Sequence, residues 1–387
     1  MRRRTPPGLR DFIESEYNLR TKRMCAFRVP LVRTAMTNSY TLWNPEVHVP
    51  TRDELVRPDG AWDVLVHHAN TDRYHFLHDT SVAMHNGVLH TAWYNCPDRE
   101  IQDESLIRGR RSSDGGRTWS DVETIAKDET GEGLHYVPPQ LFTSDGTLYS
   151  LIGIMVGPDF IRRTDLYRYD DESGKWRYVR KVADAFQQNT APVQMSNGDH
   201  ILPGRMAGEI DAKSLFSAVA ISDRVDGDWH LVQLPTGDLC KPHPETTVYA
   251  DADCITALVR DDHGPAQVFE SRDFGRSWSG PFAQNLPIAA SKMYAGKLST
   301  GQRYLLCNIN SDGNRELLTI SVSHAGEPTL CRMWAIRNGF DLPHIGVGPQ
   351  WSYPSAYEHE GTLYITYTSE KRHCMMTAIP VESLRAD

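Results

Sequence analysis

Residues 112–119 read SSDGGRTW, and residues 271–278 repeat the same pattern as SRDFGRSW. Both copies follow a strand-like stretch and carry Ser, Asp, Gly, Arg, a hydroxyl residue and Trp at the same spacing. In a tight turn the aspartate accepts hydrogen bonds from backbone N–H groups, the glycine adopts a positive φ angle, and the tryptophan packs beneath the turn. Each copy therefore predicts a hairpin turn between two antiparallel strands.

Two weaker copies lie between these turns, DESGKW at residues 171–176 and DRVDGDW at residues 223–229. The tryptophans of the series are spaced about 50 residues apart. A second series has the same period, in which a polar residue opens a strand that is followed by a turn and another strand. Its members begin at His78, His135, Asn189, Glu245, Lys292 and Tyr353. Such a period with several strands per repeat predicts an all-β protein, a β-propeller.

The second series predicts six blades of four antiparallel strands each. The last blade, from Tyr353, has room for only about three strands, so WDVLVHH at residues 62–68 is predicted to supply the fourth. A seventh blade within residues 27–77 is the alternative. Residues 1–40 are predicted to form an N-terminal extension, partly irregular, with a short helix at residues 9–21. Residues 41–387 are predicted to form a single propeller domain.

The composition excludes several classes of function. The chain has 41 Lys and Arg against 50 Asp and Glu, a formal net charge of −9 at pH 7, which argues against a nucleic-acid partner. No apolar segment follows the basic start at residues 1–4, and no long apolar run is present. We therefore expect no membrane span and a cytoplasmic location, unless a leader is missing. Seven scattered cysteines without a Cys-x-x-Cys pair predict free thiols, and neither a metal nor a cofactor is expected.

The tryptophan turns resemble the Asp-box, or BNR repeat, of sialidases and related propellers, and the resemblance spans residues 75–385. Asp-boxes lie on the blade periphery in that superfamily, so they imply the fold and say nothing direct about the chemistry. Sialidases clamp a substrate carboxylate with three arginines and use a tyrosine nucleophile paired with a glutamate. The order of the matching stretches implies that Tyr353 and Glu245 are this pair, and that Arg260 and Arg315 belong to the clamp.

The first arginine of the clamp has no clear counterpart. In sialidases it belongs to a Phe/Tyr-Arg-Ile-Pro motif, which FRVP at residues 27–30 matches with Val29 in place of isoleucine, but Arg28 lies more than one blade before Asp114. The blade that contains this turn opens with FLHD at residues 76–79, so His78 stands where the arginine is expected. The acid/base aspartate of the family also lacks a motif here. Its expected loop contains Asp98, Asp103 and Glu104.

A propeller brings the first residues of its inner strands together at one mouth of the central channel. The residues predicted to be catalytic are Tyr353, Glu245, His78 and His135. The residues predicted to bind substrate are Arg260, Arg315, Arg205, Asp79, Tyr94, Asn95, Tyr136, Asn189, Lys292 and Asn308. Such a ring suits acid–base chemistry on an anionic sugar. The alternative for each residue is structural, as a turn hydrogen bond, an ion pair or packing. Residues 370–371 are predicted to be a solvated strand end, with a role in the site as the alternative.

Three functions remain open from the sequence, all with an acidic oligosaccharide or polysaccharide as partner. The resemblance to sialidases implies an exo-glycosidase that cleaves a terminal acidic sugar, with Tyr353 attacking the anomeric carbon and Glu245 as its base. The second function is β-elimination at a uronic acid, with His78 or His135 as base and a tyrosine as acid. It resembles that of propeller-fold polysaccharide lyases acting on ulvan or rhamnosyl-glucuronate. The third is a glycan-binding propeller without catalysis.

Overall fold

The computed structural model describes residues 39–101, 104–158, 160–208, 214–235, 243–309, 315–339 and 350–386. Within these residues nearly all regular structure is β-strand, and the helices are short 3-10 turns at Arg52–Glu54, Ala69–Thr71 and Val381–Ser383. None of these described helices is long and apolar enough to cross a membrane. Arg28, Asp103, the helix predicted at residues 9–21 and nearly all of the predicted N-terminal extension lie outside the described residues.

Two strands precede the first complete blade, β1 at Ser39–Tyr40 and β2 at Trp62–His68. The next three blades follow in chain order. Blade 1 contains β3 Phe76–His85, β4 Val88–Cys96, β5 Leu106–Ser112 and β6 Glu123–Ala126. Blade 2 contains β7 Leu134–Ser144, β8 Thr147–Val156, β9 Phe160–Asp170 and β10 Lys175–Asp184. Blade 3 contains β11 Phe186–Gln188 and β12 Val193–Gln194, which share the inner position, and then β13 His200–Ala207, β14 Leu215–Ser222 and β15 His230–Gln233.

The remaining three blades complete the ring. Blade 4 contains β16 Thr246–Ala250, β17 Ile255–Val259, β18 Gln267–Ser271 and β19 Ser279–Gln284, with β1 added in parallel to β19. Blade 5 contains β20 Tyr294–Lys297, β21 Arg303–Asn308, β22 Leu317–Ser323 and β23 Leu330–Asn338. Blade 6 contains β24 Trp351–His359, β25 Thr362–Ser369 and β26 His373–Pro380, with β2 as its outer strand. The prediction of six blades of four antiparallel strands is confirmed.

The closing strand β2 joins the two ends of the propeller, because it precedes blade 1 in the chain and pairs with β26 of blade 6. The pairing is antiparallel and runs from Trp62 opposite Ala378 to His68 opposite His373. Asp63 on β2 also accepts hydrogen bonds from Arg337 and Thr377, each at 2.6 Å. The predicted fourth strand is thus confirmed, and the alternative of a seventh blade is wrong for the described residues 39–75.

The two predicted tryptophan turns form the hairpins between the third and fourth strands of blades 1 and 4. Asp114 accepts hydrogen bonds from the Thr118 backbone N–H at 2.9 Å and hydroxyl at 2.6 Å. Asp273 makes the same pair of bonds to Ser277, at 2.8 and 2.6 Å, and these bonds hold the pKa of Asp273 at about 2. Gly275 has a φ angle of 79°, which favours glycine. The turns are therefore made by contiguous residues.

The apolar core is divided among the contacts between neighbouring blades. Six clusters of buried side chains each join one blade to the next around the ring. One of them packs Val66 of the closing strand against Leu77 and Trp93 of blade 1, all fully buried. Burial of this apolar surface stabilises the ring as a whole. It leaves the polar ends of the inner strands gathered at one mouth of the channel.

Candidate active site

Two residues at the mouth of the channel adopt unusual backbone conformations. Asp79 and Tyr353 have φ angles of 53° and 59°, and each lies at a break in the strand register, between His78 and Ser81 in β3 and between Ser352 and Ser355 in β24. A positive φ is costly for any residue other than glycine and persists only where the surrounding structure holds it. Such breaks redirect a side chain, and here both side chains contact other blades.

Tyr353 contacts side chains from several blades at the mouth of the channel. Its hydroxyl accepts a hydrogen bond from Arg260 Nη1 at 3.0 Å, and its ring contacts that of His78 at an angle of 32°, with 4.2 Å between the ring centroids. Lys292 Nζ and Arg315 Cζ lie 5.2 and 5.5 Å from the ring centroid. Burial and the negative charge of Glu245 raise the pKa of Tyr353 well above its usual range, so the phenol is neutral at physiological pH.

Glu245 and Arg260 form a buried ion pair beside this tyrosine. The same Arg260 Nη1 that contacts Tyr353 lies 2.8 Å from Glu245 Oε2, and Arg260 Nε lies 2.7 Å from Asp262 Oδ1. Burial alone would raise the pKa of Glu245, but the charges of Arg260, Arg205 and Lys292 outweigh it and hold the pKa at about 2. Glu245 is therefore an anion throughout the physiological pH range. Carboxylates lie next to Arg260 at both Nη1 and Nε.

Asp79 and Lys292 form a second buried ion pair, between blades 1 and 5. Lys292 is only 1% exposed and Asp79 only 4%. Burial raises the pKa of Asp79 to about 6, although the neighbouring Lys292 acts in the opposite direction. Asp79 thus neutralises the charge of Lys292 beside the ring of Tyr353. This arrangement suits Lys292 to positioning the tyrosine better than to direct contact with substrate.

Arg205 and Arg315 are held by neutral groups. Arg205 Nε and Nη2 donate to Gln187 Oε1 at 3.0 and 2.6 Å. Arg315 donates to the Ala290 carbonyl at 2.9 Å and to Gln350 Oε1 at 3.4 Å. Within the part of the chain that the structure describes, neither guanidinium forms an ion pair with a carboxylate. These two arginines therefore differ from Arg260 and keep charge available for a ligand.

His78 is a neutral base among cations. Burial and then the charges of Lys371, Arg315, Lys292 and Arg260 lower its pKa well below the usual range, and its Nδ1 is buried without a hydrogen-bond partner among the described residues. His135, predicted to share its role, is buried at the start of β7 in blade 2. The hydrogen bonds and ring contacts that Tyr353 makes within the described residues do not include His135.

The other predicted binding residues mainly make hydrogen bonds and packing contacts within and between the blades. The Asn95 side-chain oxygen accepts a hydrogen bond from the Trp93 indole N–H, and its NH2 group donates to the Phe76 carbonyl. The NH2 group of Asn308 donates to the carbonyls of Leu317 and Trp351. Asn189 accepts the Thr246 N–H at 2.9 Å, while Tyr136 packs in the cluster between blades 1 and 2. Tyr94 is the exception, because its hydroxyl donates to Glu100 Oε1 at 3.0 Å at the edge of the mouth.

Glu100 was not found by reasoning from the sequence, and a role of Lys371 in the site was only the alternative to a solvated strand end. Lys371 Nζ forms an ion pair with Glu100 and lies 5.7 Å above the Phe76 ring. The prediction of a solvated strand end at residues 370–371 is wrong, because Glu370 is 3% exposed and the backbone of Lys371 is bonded to Leu77. Both turn residues have positive φ angles, 52° and 54°, where Asn-Gly is the usual pair. The sequence signal that was missed is a two-residue turn with positive φ angles at both positions and no glycine.

Asp98 and Glu104, the two described carboxylates expected in the acid/base loop, form ion pairs with residues other than those around Tyr353. Asp98 pairs with His75 at 3.0 Å and its side chain is 72% exposed, and Glu104 pairs with Arg73 at 2.9 Å on the surface. Among the described residues no group of three or more His, Cys, Asp and Glu side chains is arranged to hold a metal ion.

A family model described as a BNR repeat-like domain matches residues 87–365, from the first blade to the last. The chain belongs to this family of BNR-repeat proteins. The match covers the blades that carry the tryptophan turns and most of the residues around Tyr353, and it confirms the resemblance on which the fold was predicted. No curated protein matches the chain in sequence.

Solved structures share the fold of this BNR-repeat propeller at low sequence identity. A Hadza microbial sialidase superposes with a TM-score of 0.67 and 19% identity, over 84% of this chain and 69% of its own. A Dyadobacter fermentans protein of unknown function gives 0.63 and 16%, over 83% of this chain and 99% of its own. Trypanosoma rangeli sialidase in complex with sialic acid gives 0.62 and 13%, over 85% of this chain and 60% of its own. These likenesses show a sialidase-like fold.

Proposed function

We propose that this propeller is an exo-glycosidase of sialidase type that cleaves a terminal acidic sugar from a glycan. The observation that carries the proposal is the position of Arg260 Nη1, which lies within hydrogen-bonding distance of both Glu245, at 2.8 Å, and the Tyr353 hydroxyl, at 3.0 Å. Arg260 Nη1 thus bridges Glu245 and the Tyr353 hydroxyl, with Tyr353 as the nucleophile of the proposed reaction and Glu245 as the base that receives its proton.

In the first step, Tyr353 Oη forms a bond to the anomeric carbon, the bond from that carbon to the departing oxygen breaks, and the phenolic proton passes to Glu245. The departing oxygen takes its proton from solvent, because Glu100 at the edge of the mouth is already paired with Lys371. In the second step, water attacks the anomeric carbon and the bond from that carbon to Tyr353 Oη breaks. Glu245 returns its proton to the phenol, and one proton of the attacking water passes to solvent. A neutral nucleophile suits an anomeric carbon next to a carboxylate, because an anionic nucleophile would be repelled.

The test is to trap the glycosyl-tyrosine intermediate. We would incubate the protein with a fluorinated acidic glycosyl fluoride, whose glycosyl-enzyme is hydrolysed slowly, and map the adduct by mass spectrometry. We expect an adduct on Tyr353 in the wild type and none in Tyr353→Phe, with hydrolysis of an aryl glycoside reduced at least about 100-fold. Tyr178→Phe is the matched control, because Tyr178 lies on the outer strand of blade 2 and is 55% exposed. Hydrolysis that survives in Tyr353→Phe would refute the proposal.

A lyase is the second candidate, and the contact between the rings of His78 and Tyr353 favours it. A neutral imidazole with an unpartnered Nδ1 is suited to remove the proton next to a uronic carboxylate, while the phenol of Tyr353 gives its proton to the leaving oxygen. Cations beside the histidine would stabilise the resulting negative charge. Ultraviolet absorbance separates the two candidates, since elimination creates a conjugated double bond in the product and hydrolysis does not. Binding of a glycan without either product would favour the glycan-binding propeller.

A further inference from the structure

We infer that Arg205 is a specificity-determining residue that binds the carboxylate of an acidic sugar in this pocket. The inference rests on the proposed function for the class of ligand, and it adds a residue from blade 3 to the cations around Tyr353. It starts from a difference between two arginines that end the second strands of neighbouring blades. Arg260 already contacts two carboxylates, whereas the hydrogen bonds of the Arg205 side chain within the described residues go only to an amide.

The amide of Gln187 fixes the guanidinium of Arg205 from one side. The two residues are cross-strand partners in β11 and β13, and two nitrogens of Arg205 share the single oxygen Gln187 Oε1. Gln187 is itself anchored, because its Nε2 donates to the Val137 carbonyl at 2.8 Å. Gly153 leaves the room for this amide, since a Cβ there would lie only 3.1 Å from Gln187. The orientation of Arg205 is therefore set before any ligand arrives.

The third nitrogen of Arg205, Nη1, has no hydrogen-bond partner among the residues that the structure describes. Nη1 is shielded from solvent and makes no hydrogen bond within the described residues, although the residue as a whole keeps part of its surface exposed. A shielded guanidinium N–H without an acceptor is costly, and a planar guanidinium is the group that best matches a carboxylate. A carboxylate ligand would supply the acceptor that the described part of the chain does not.

The acidic residues near Arg205 are each paired with another cation. Arg205 lies within electrostatic range of Asp79 and Glu245. Asp79 is already paired with Lys292, and Glu245 with Arg260. Recruiting Arg260 for a ligand would mean breaking contacts to Glu245 and Asp262, at a considerable cost for buried ions. Recruiting Arg205 breaks no ion pair, so we expect Arg205 to discriminate between acidic and neutral sugars.

The experiment compares acids with their neutral esters. Binding of N-acetylneuraminic acid, D-glucuronic acid and the methyl ester of each is measured by calorimetry for the wild type, Arg205→Gln, Gln187→Glu and Arg276→Gln. We expect Arg205→Gln to lower the preference for acid over ester at least about tenfold. Gln187→Glu, which gives Arg205 an internal carboxylate without removing it, should lower the preference similarly. Arg276 is the matched control, an arginine in a tryptophan turn whose side chain is 55% exposed.

The outcomes separate this inference from the proposed function. A preference for acid that stays unchanged in both Arg205→Gln and Gln187→Glu overturns the inference, even if hydrolysis through Tyr353 is found. A wild type that binds none of the acids, or binds acid and ester equally, overturns it too. An acid preference that depends on Arg205 in a protein that cleaves no glycoside would support the inference and refute the proposed function.

Discussion

At the scale of single residues, the mouth of the propeller is organised by buried charges that neutralise one another across blades. Asp79 and Lys292 are almost completely buried, and Asp79 holds a positive φ angle of 53°. Neither the strained backbone nor the buried charge would be stable alone. The pair supports the ring of Tyr353, which lies 5.2 Å from Lys292 Nζ, and so positions the proposed nucleophile.

Removing one partner of this pair is expected to destabilise the protein strongly. In Lys292→Met the Asp79 carboxylate stays buried without its cation, which should lower the free energy of unfolding by about 3–5 kcal/mol at neutral pH. The pKa of Asp79, already raised to about 6 by burial, should rise further in this variant. The destabilisation should therefore grow as the pH rises and shrink under acidic conditions, where the carboxyl group binds a proton.

Urea denaturation followed by tryptophan fluorescence measures this effect. The double variant Asp79→Asn with Lys292→Met has no unpaired charge and should recover part of the lost stability. If the single and double variants were equally stable at all pH values, the two residues would not act as a pair.

At the scale of secondary-structure elements, the seam between β2 and β26 carries an unusual pair of histidines. His68 and His373 face each other in the register, and their rings stack with 4.4 Å between centroids. Both ring nitrogens of His373 are buried without hydrogen-bond partners among the described residues. Burial and the neighbouring His68 and Arg372 lower the pKa of His373 to about 4, although Glu370 acts in the opposite direction.

This seam is expected to make the protein sensitive to acid. The unfolded chain binds a proton at His373 near the ordinary histidine pKa of about 6.5, whereas the folded protein does so only near pH 4. The contribution of His373 is therefore fully present above the unfolded pKa and is lost as the pH falls toward 4. His373→Phe should reduce the loss of stability over this window by roughly 1 kcal/mol or more.

Denaturation curves at several pH values test this expectation, with exposed His230 changed to Gln as the control. His67 and His90 also have pKa values lowered to about 3, so some acid sensitivity should remain in His373→Phe. Identical pH profiles for the wild type and His373→Phe would show that the seam does not contribute.

At the scale of the whole molecule, one short strand closes the ring. β2 comes from the start of the described chain and completes blade 6, so the contact between Tyr353 of blade 6 and His78 of blade 1 lies at the junction that it closes. Val66 of this strand is fully buried against blade 1, whereas the preceding Leu65 is 44% exposed. Stability of the ring and integrity of the pocket should therefore depend on the same strand.

Adjacent positions of β2 offer a matched test. Val66→Asp places an unpaired charge in the apolar cluster between blades 6 and 1 and should lower the free energy of unfolding by about 3 kcal/mol or more. Leu65→Asp introduces the same side chain on the exposed face and should change it by no more than about 0.5 kcal/mol. Chemical denaturation measures the free energy of unfolding of both variants. Equal changes in this free energy would mean that the closing strand is not part of the cooperative core.

Much of the fold could be predicted because it depends on short contiguous stretches. The bonds of Asp114 and Asp273 reach only a few residues along the chain, so the turns and their spacing are visible in the sequence. The closing strand was predictable because blade 6 lacked one strand and a fitting segment stood free near the start. The turn at Glu370 and Lys371 was missed, since its conformation is held by backbone contacts with distant segments such as Leu77.

The sequence by itself determined a ring of six sheets and the identities of most polar residues at its mouth, because turn chemistry and strand alternation are local properties. Only the tertiary structure decided what each charge does there. Arg260 is neutralised by Glu245 and Asp262, Lys292 by Asp79, and Arg205 by no carboxylate of the described chain. Lys292 and Asp79 are 213 residues apart, and electrostatic pairing depends on distance in space, which a sequence does not contain.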